Sequence, residues 1–72
     1  SDRLIRLNEV MRRTALNRNA VYTCMKNGTF PKSIKLGKRT VAWSENAVDK
    51  WIEDRKAGIP LTPDYLALNE SK

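Results

Sequence analysis

The stretch LNRNAVYTCMKNGTFP, from Leu16 to Pro31, decides the fold because it contains a short helix together with both of its boundaries. Asn17 is a favourable N-cap residue, since its side-chain oxygen can accept a hydrogen bond from a backbone N–H of the first turn. Gly28 suits the left-handed position that follows a helix, and Pro31 prevents any continuation. The stretch therefore predicts a helix that begins after Asn17 and ends before Gly28.

This predicted helix has two different faces. At about 100° per residue, one stripe is apolar and suits a core; its members are Ala20, Val21, Cys24 and Met25. The opposite stripe is polar, and its side chains can reach a partner; its members are Asn19, Tyr22, Thr23 and Lys26. The alternative for Tyr22 is that it packs partly into the core.

A second short helix is predicted immediately upstream. Asn8 is its candidate N-cap, and Glu9 lies in the first turn, where the helix dipole favours an acid. Val10 and Met11 share one face of this helix. A brief turn over residues 14–16 joins the two helices, which gives the order of a helix-turn-helix unit.

Downstream of Pro31 the apolar period changes from 3.6 to 2, which indicates strands. The alternating apolar residues are Ile34, Leu36, Val41 and Trp43. They flank a three-residue loop that contains Gly37, a pattern typical of a β-hairpin. Ser33 and Lys35 are expected on its outer face, and Lys38 and Arg39 at its basic tip.

A third helix is predicted after the hairpin. Ser44 is its N-cap, and it ends before Gly58; its apolar side is formed by Val48, Trp51 and Ile52. Trp43 and Trp51 fall on apolar phases and are expected in the core. The fold class is therefore α+β: a small winged helix-turn-helix over residues 3–58, with three helices and a β-hairpin wing. Residues 59–72 are expected to form a C-terminal tail, with a short helix starting at Thr62 and Pro63 and carrying Tyr65, Leu66 and Leu68.

The net charge of +6 is unevenly distributed. Between Arg3 and Trp43 there are ten basic residues and a single acid, Glu9, whereas residues 44–72 contain four basic residues and six acids. A basic segment of this kind suits a polyanion, because neutralising phosphates releases counterions. The alternative is an ordinary solvated surface. Arg12 and Arg13 are expected to be solvated rather than base-reading, and contact with phosphate is the alternative.

The composition argues against an enzyme. The chain has 72 residues, one cysteine and no histidine, so the usual groups for acid–base, nucleophilic or zinc chemistry are missing. Cys24 is interpreted as a small apolar residue of the core, and no cofactor or metal is expected. No apolar run approaches the roughly 20 residues that span a bilayer, so a cytoplasmic protein at the nucleoid without membrane contact is expected.

The pattern predicts binding to double-stranded DNA. In a winged helix-turn-helix the second helix enters the major groove and the wing contacts phosphates or the minor groove. Asn19 can pair with an adenine edge, Arg18 can reach guanine or phosphate, and Thr23 can meet a thymine methyl group or a phosphate. The remaining predicted contacts anchor the phosphate backbone or belong to the wing, and they are Tyr22, Lys26, Lys35, Lys38 and Arg39.

Three runs, RLIRLNEVMRRTALNRNAVY, NGTFPKSIKLGKRTVAW and ENAVDKWIEDRKAG, resemble the AlpA-type prophage regulators. That family is related to phage excisionases and to the winged-helix part of MerR proteins, and the resemblance covers Arg3 to Gly58. It implies a winged helix-turn-helix that binds DNA upstream of mobile-element genes and activates an integrase or excision genes. Such proteins commonly have a glycine and a serine or threonine near the turn, where this chain has Ala15, Asn17 and Asn19.

Two alternatives stay open. The first is an architectural excisionase that bends DNA together with an integrase. The second is a protein-interaction module, such as an antitoxin or anti-repressor, whose partner binding would be insensitive to loss of Asn19 and Arg39. Self-association is also expected, as cooperative binding through Tyr65, Leu66 and Leu68, and RNA polymerase is a further possible partner.

Overall fold

The computed structural model describes residues 2–61, which form three helices and a small antiparallel sheet. In chain order the elements are β1 (Leu4–Ile5), α1 (Leu7–Thr14), α2 (Arg18–Asn27), β2 (Ile34–Lys35), β3 (Val41–Ser44) and α3 (Glu45–Lys56). This is the predicted α+β architecture of a winged helix-turn-helix. The predicted tail helix from Thr62, with Tyr65, Leu66 and Leu68, lies outside the described residues.

Both predicted boundaries of α2 are confirmed. The side-chain Oδ1 of Asn17 accepts a hydrogen bond of 2.8 Å from the backbone N–H of Ala20. Gly28 has a φ of 78°, which is a left-handed conformation that glycine adopts without a Cβ penalty. The backbone N–H of Gly28 donates to the carbonyl of Met25 at 3.2 Å, and that of Thr29 to the carbonyl of Cys24 at 2.9 Å. Short-range chemistry therefore fixes where α2 begins and ends.

The predicted start of α1 is wrong by two residues. The N-cap position is held by Arg6 instead of Asn8, and no side chain caps this helix end. The helical phase places Leu7 on the same side as Val10 and Met11, and all three belong to the core or pack against it. Apolar contact of Leu7 therefore stabilises this end of the helix in place of an Asn8 cap.

The sheet contains a strand that the predicted hairpin lacked. Its order is β1-β3-β2, with both neighbouring pairs antiparallel. Ile5 of β1 lies opposite Trp43 of β3, and both side chains are buried. The N-terminal segment is thus held against the central strand, next to the start of α1.

Lys35 is exposed, as expected, whereas Ser33 is half-buried and the predicted facing of the apolar residues of β2 is wrong. Lys35 lies opposite Val41, which packs against the core, yet the Lys35 side chain stays exposed on this edge strand. Ile34 and Leu36 lie on the other side and are 41% and 51% exposed. The reason is the three-residue loop 37–39, whose register reverses the phase of the apolar alternation across the hairpin.

Among residues 2–61, seven buried side chains form one apolar cluster: Ile5, Val10, Val21, Phe30, Trp43, Val48 and Trp51. The prediction that Trp43 and Trp51 belong to it is confirmed. The indole Nε1 of Trp51 donates to the carbonyl oxygen of Thr29 at 2.8 Å, and its ring meets the edge of Phe30 with centroids 5.0 Å apart. The chain that leaves α2 is thereby anchored on α3.

An ion cluster ties α1 to α3, so Arg13 is engaged in the fold and is not simply solvated. Its guanidinium lies 2.7 Å from Glu9, 2.9 Å from Glu45 and 3.3 Å from Asp49. The hydrogen bond from Arg13 lowers the pKa of Glu9 below its ordinary value, and Glu9 in turn raises the pKa of Arg13. One guanidinium thus pairs with three carboxylates and links α1 to α3.

Asp2 takes part in capping the start of α3. The carboxylate of Asp2 accepts hydrogen bonds from the hydroxyl of Ser44 and from the backbone N–H of Asn46, the latter at 2.9 Å. These bonds lower the pKa of Asp2. Ser44 itself caps α3 as predicted, because its Oγ accepts a bond of 3.1 Å from the N–H of Ala47.

Over residues 2–61, none of the helices is both long and apolar enough to cross a bilayer.

Candidate nucleic-acid interface

The exposed surface of α2 carries every side chain that the sequence predicted for it. We call this surface the outer face of α2, and it consists of Arg18, Asn19, Tyr22, Thr23 and Lys26, all exposed. On the opposite side Val21 is fully buried, while Ala20, Cys24 and Met25 are half-buried. The cap at Asn17 and the packing of Val21 hold α2 so that a row of hydrogen-bonding groups faces solvent.

The wing presents three more cations. Lys38 and Arg39 lie in the exposed loop between β2 and β3, and Lys35 is exposed on β2. The loop is closed by the carbonyl of Thr40, which accepts bonds from the N–H groups of Leu36 at 2.7 Å and of Gly37 at 3.2 Å. The basic tip is therefore held on a short, tight loop.

A cleft of about 470 Å³ separates the wing from the two helices of the helix-turn-helix. We call it the arginine cleft, and its lining residues are Arg6, Leu7, Asn8, Arg18, Tyr22, Arg39 and Val41. Among the predicted site residues, Arg18, Tyr22 and Arg39 meet there. The others do not line the cleft: Asn19, Thr23 and Lys26 lie elsewhere on the outer face of α2, and Lys35 and Lys38 elsewhere on the wing.

Sequence reasoning missed Arg6 and Asn8 as members of this surface. Arg6 stands between β1 and α1, and the pairing of β1 with β3 brings this junction beside the strand that follows the wing loop. The available signal was the alternation of Leu4 and Arg6 with Ile5 and Leu7. Read as a strand, that alternation would have turned Arg6 away from the core.

Tyr22 is partly exposed and also packs against the core. It is 38% exposed and lines the arginine cleft, while its ring meets the edge of Trp43 at a centroid distance of 6.5 Å. The guanidinium carbon of Arg18 lies 5.6 Å from the centroid of the Tyr22 ring, within cation–π range. Tyr22 therefore rests on the core and supports Arg18 at the mouth of the cleft.

The charges are segregated across the molecule. Every acid among residues 2–61 already has a partner inside the protein: Asp2 bonds Ser44, Glu9, Glu45 and Asp49 bond Arg13, Glu53 bonds Lys56, and Asp54 bonds Lys50. No carboxylate of this part of the chain pairs with a cation of the arginine cleft, the outer face of α2 or the wing. The positive charges of these three regions are consequently not neutralised by carboxylates of residues 2–61.

Comparison with known proteins matches this architecture to one family. The family model described as prophage CP4-57 regulatory protein (AlpA) matches residues 3–56, which include all six described elements. The chain belongs to the AlpA family. The resemblance carried by the sequence runs is thereby confirmed, and it extends over the helix-turn-helix, the wing and α3.

Two relatives place the AlpA-family chain among phage and prophage proteins. An uncharacterized protein, ORF88, of Enterobacteria phage P4 is 37% identical over 57 residues, which cover 79% of this chain and 65% of that protein. The chain thus spans slightly less than two thirds of the phage protein. The DNA-binding transcriptional activator AlpA of Escherichia coli K12 is 32% identical over 59 residues, covering 74% of this chain and 84% of that protein.

Proposed function

We propose that this AlpA-family protein binds double-stranded DNA sequence-specifically and regulates transcription of a prophage or other mobile element. The observation that carries the proposal is the set of exposed cations on the outer face of α2 and the wing, with which no carboxylate of residues 2–61 pairs. Phosphate neutralisation gives such a surface affinity for any duplex, and hydrogen-bonding side chains on a protruding helix add base preference. The proposed DNA-binding domain covers residues 3–58.

In this proposal α2 enters the major groove, whose width of about 12 Å admits a helix. Asn19 and Thr23 face base edges. Tyr22 and Lys26 contact the phosphate backbone. Arg18 reaches either guanine or the backbone. Lys35, Lys38 and Arg39 of the wing contact the backbone or the minor groove. The burial of Val21 on the opposite side of α2 supports this orientation, because it leaves the polar stripe as the accessible one.

The Escherichia coli relative is a DNA-binding transcriptional activator, which favours transcriptional regulation over a purely architectural role in excision. The proposed place of action is the cytoplasm, at the nucleoid. Contacts with an integrase, with RNA polymerase or with a second copy of the chain stay predictions. A comparison of DNA curvature with promoter activity separates the regulator from an excisionase that bends DNA.

The test of the proposed function is selection from a pool of random duplexes at two salt concentrations, with sequencing of the retained molecules. The proposal predicts a defined motif and an affinity that falls steeply with salt. Retention without any preference, combined with tight capture of an acidic protein, would instead assign the basic surface to the protein-interaction alternative.

Two substitutions separate reading of bases from binding of backbone. Asn19→Ala is expected to cost about 1–3 kcal/mol on the selected duplex and to relax preference at one base position. Lys38→Ala is expected to lower the affinity for the selected and the scrambled duplex equally and to reduce the salt slope of binding by about one. Both residues are exposed, so both variants are expected to fold normally. Equal effects of Asn19→Ala on selected and scrambled duplexes would refute its base-reading role.

A further inference from the structure

We propose that the arginine cleft is a binding site for a phosphate group of the DNA backbone, with Arg6 as a DNA-contacting residue. This deepens the proposed function, on which it rests, because it names a chemical group and a residue that the helix-turn-helix pattern did not supply. The cleft would set the position of the protein along the duplex without reading bases.

Three guanidinium groups converge on the arginine cleft. Arg6 comes from the junction of β1 and α1, Arg18 from the first residue of α2, and Arg39 from the wing loop, yet all three line one cleft. Within residues 2–61 none of them forms an ion pair with a carboxylate. Like charges repel, so a bound anion would stabilise this arrangement, and the planar fork of arginine matches phosphate geometry.

The N-terminal end of α1 opens on the same cleft. Leu7 and Asn8, the first two residues of α1, line it. The cap residue Arg6 makes no side-chain bond to the first turn, in contrast to Asn17 at α2 and Ser44 at α3. Backbone N–H groups at an uncapped helix N-terminus favour an anion, in addition to the three arginines.

The arginine cleft adjoins the outer face of α2. Arg18 and Tyr22 belong both to the cleft and to the outer face of α2, so an anion in the cleft lies beside the helix proposed to enter the major groove. A backbone phosphate of a strand that borders that groove is therefore the matching ligand. A free phosphate or a nucleotide offers the same chemistry, so the test must distinguish the source.

The first experiment compares Arg6→Ala with Arg12→Ala in binding titrations over a salt series, using the selected duplex and a scrambled one. Arg12 is the matched control because it lies on α1, its side chain is 79% exposed, and it does not line the cleft. Arg6→Ala is expected to lower the affinity for both duplexes by a similar factor, to reduce the salt slope of binding by about one and to leave the base preference unchanged. Arg12→Ala is expected to leave the salt slope unchanged. Arg39→Ala, in the wing loop, is the second variant, so the result does not depend on folding of α1.

The second experiment locates the phosphate. Duplexes that carry one neutral methylphosphonate at successive backbone positions are titrated with the wild-type protein and with Arg6→Ala. The proposal predicts one position at which neutralisation weakens the wild type but not Arg6→Ala. In a parallel titration, inorganic phosphate and a mononucleotide are expected to bind far more weakly than the duplex.

The outcomes separate the two claims. The phosphate site would be overturned if Arg6→Ala and Arg39→Ala both kept the wild-type salt slope. The proposed function would still stand in that case if Asn19→Ala lost base preference. Binding of inorganic phosphate or the mononucleotide as tight as that of the duplex would overturn the assignment to DNA. Failure of the wild-type protein to bind any duplex would overturn both.

Discussion

Ala15, between the two helices of the helix-turn-helix, has a backbone conformation that alanine rarely adopts. Its φ is 62°, and among residues 2–61 it is the one non-glycine residue with a positive φ. Relief of this strain, about 1–2 kcal/mol, exceeds the unfolded-state entropy that glycine adds. Ala15→Gly is therefore expected to raise the free energy of unfolding by about 0.5–1 kcal/mol, as measured by urea denaturation.

Ala57, which follows α3, is the control for this substitution because its φ is −79°. Ala57→Gly relieves no strain and is expected to lower the free energy of unfolding by up to about 1 kcal/mol. A gain of stability in both variants, or a loss in both, would contradict the account of Ala15.

Glu9 makes stability depend on pH through its bond to Arg13. Because this bond lowers the pKa of Glu9 in the folded state, its contribution is complete above the ordinary glutamate pKa. This stabilisation of the folded state is lost as the pH falls below about 4, because the Glu9 carboxylate then becomes protonated as the pH passes through its lowered folded-state pKa. Glu9→Gln is expected to lower the free energy of unfolding at pH 7 and to weaken its dependence on pH between neutrality and pH 3.

The control is Glu53→Gln. The side chain of Glu53 is 71% exposed and lies 3.8 Å from Lys56, in an exposed pair that contributes little. Denaturation of both variants at pH 7 and pH 3 checks the prediction. It would be refuted by a Glu9→Gln protein with the pH dependence of the wild type.

At the scale of elements, the register of the hairpin has a direct consequence for stability. Leu36 is 51% exposed, whereas Val41 packs against the core. Leu36→Thr is expected to change the free energy of unfolding by less than about 0.5 kcal/mol, and Val41→Ala to lower it by about 1–2 kcal/mol. Thermal and urea denaturation measure both changes. A larger loss for Leu36→Thr than for Val41→Ala would place Leu36 inside and contradict this register.

The elements differ in how well sequence predicts them. The limits of α2 follow from Asn17 and Gly28, whose preferences act within a few residues, and α3 follows in the same way from Ser44. The start of α1 and the exposure of Ile34 and Leu36 were mispredicted because they depend on strand pairing and loop register. Those interactions join distant segments, and apolar periodicity alone does not encode them.

At the scale of the whole molecule, the same distinction applies to the candidate site. The outer face of α2 was predictable because helical spacing groups Asn19, Tyr22 and Lys26 on one side. The arginine cleft was not, since Arg6 reaches it only through the pairing of β1 with β3. Charge segregation was visible in the sequence as a basic and an acidic segment, while the ion pairs around Arg13 needed the packing of α1 on α3.

The measurement that tests the central claim most directly is mapping of the DNA-binding surface by NMR. Backbone amide shifts are recorded for the protein alone and with a duplex retained from the random pool. The largest amide shift changes are expected in residues 6–8, 18–26 and 37–39. Little shift change is expected at Asp49 and Glu53 on the acidic side of α3. Changes centred on α3, or on the exposed apolar side of the sheet around Ile34, would contradict it.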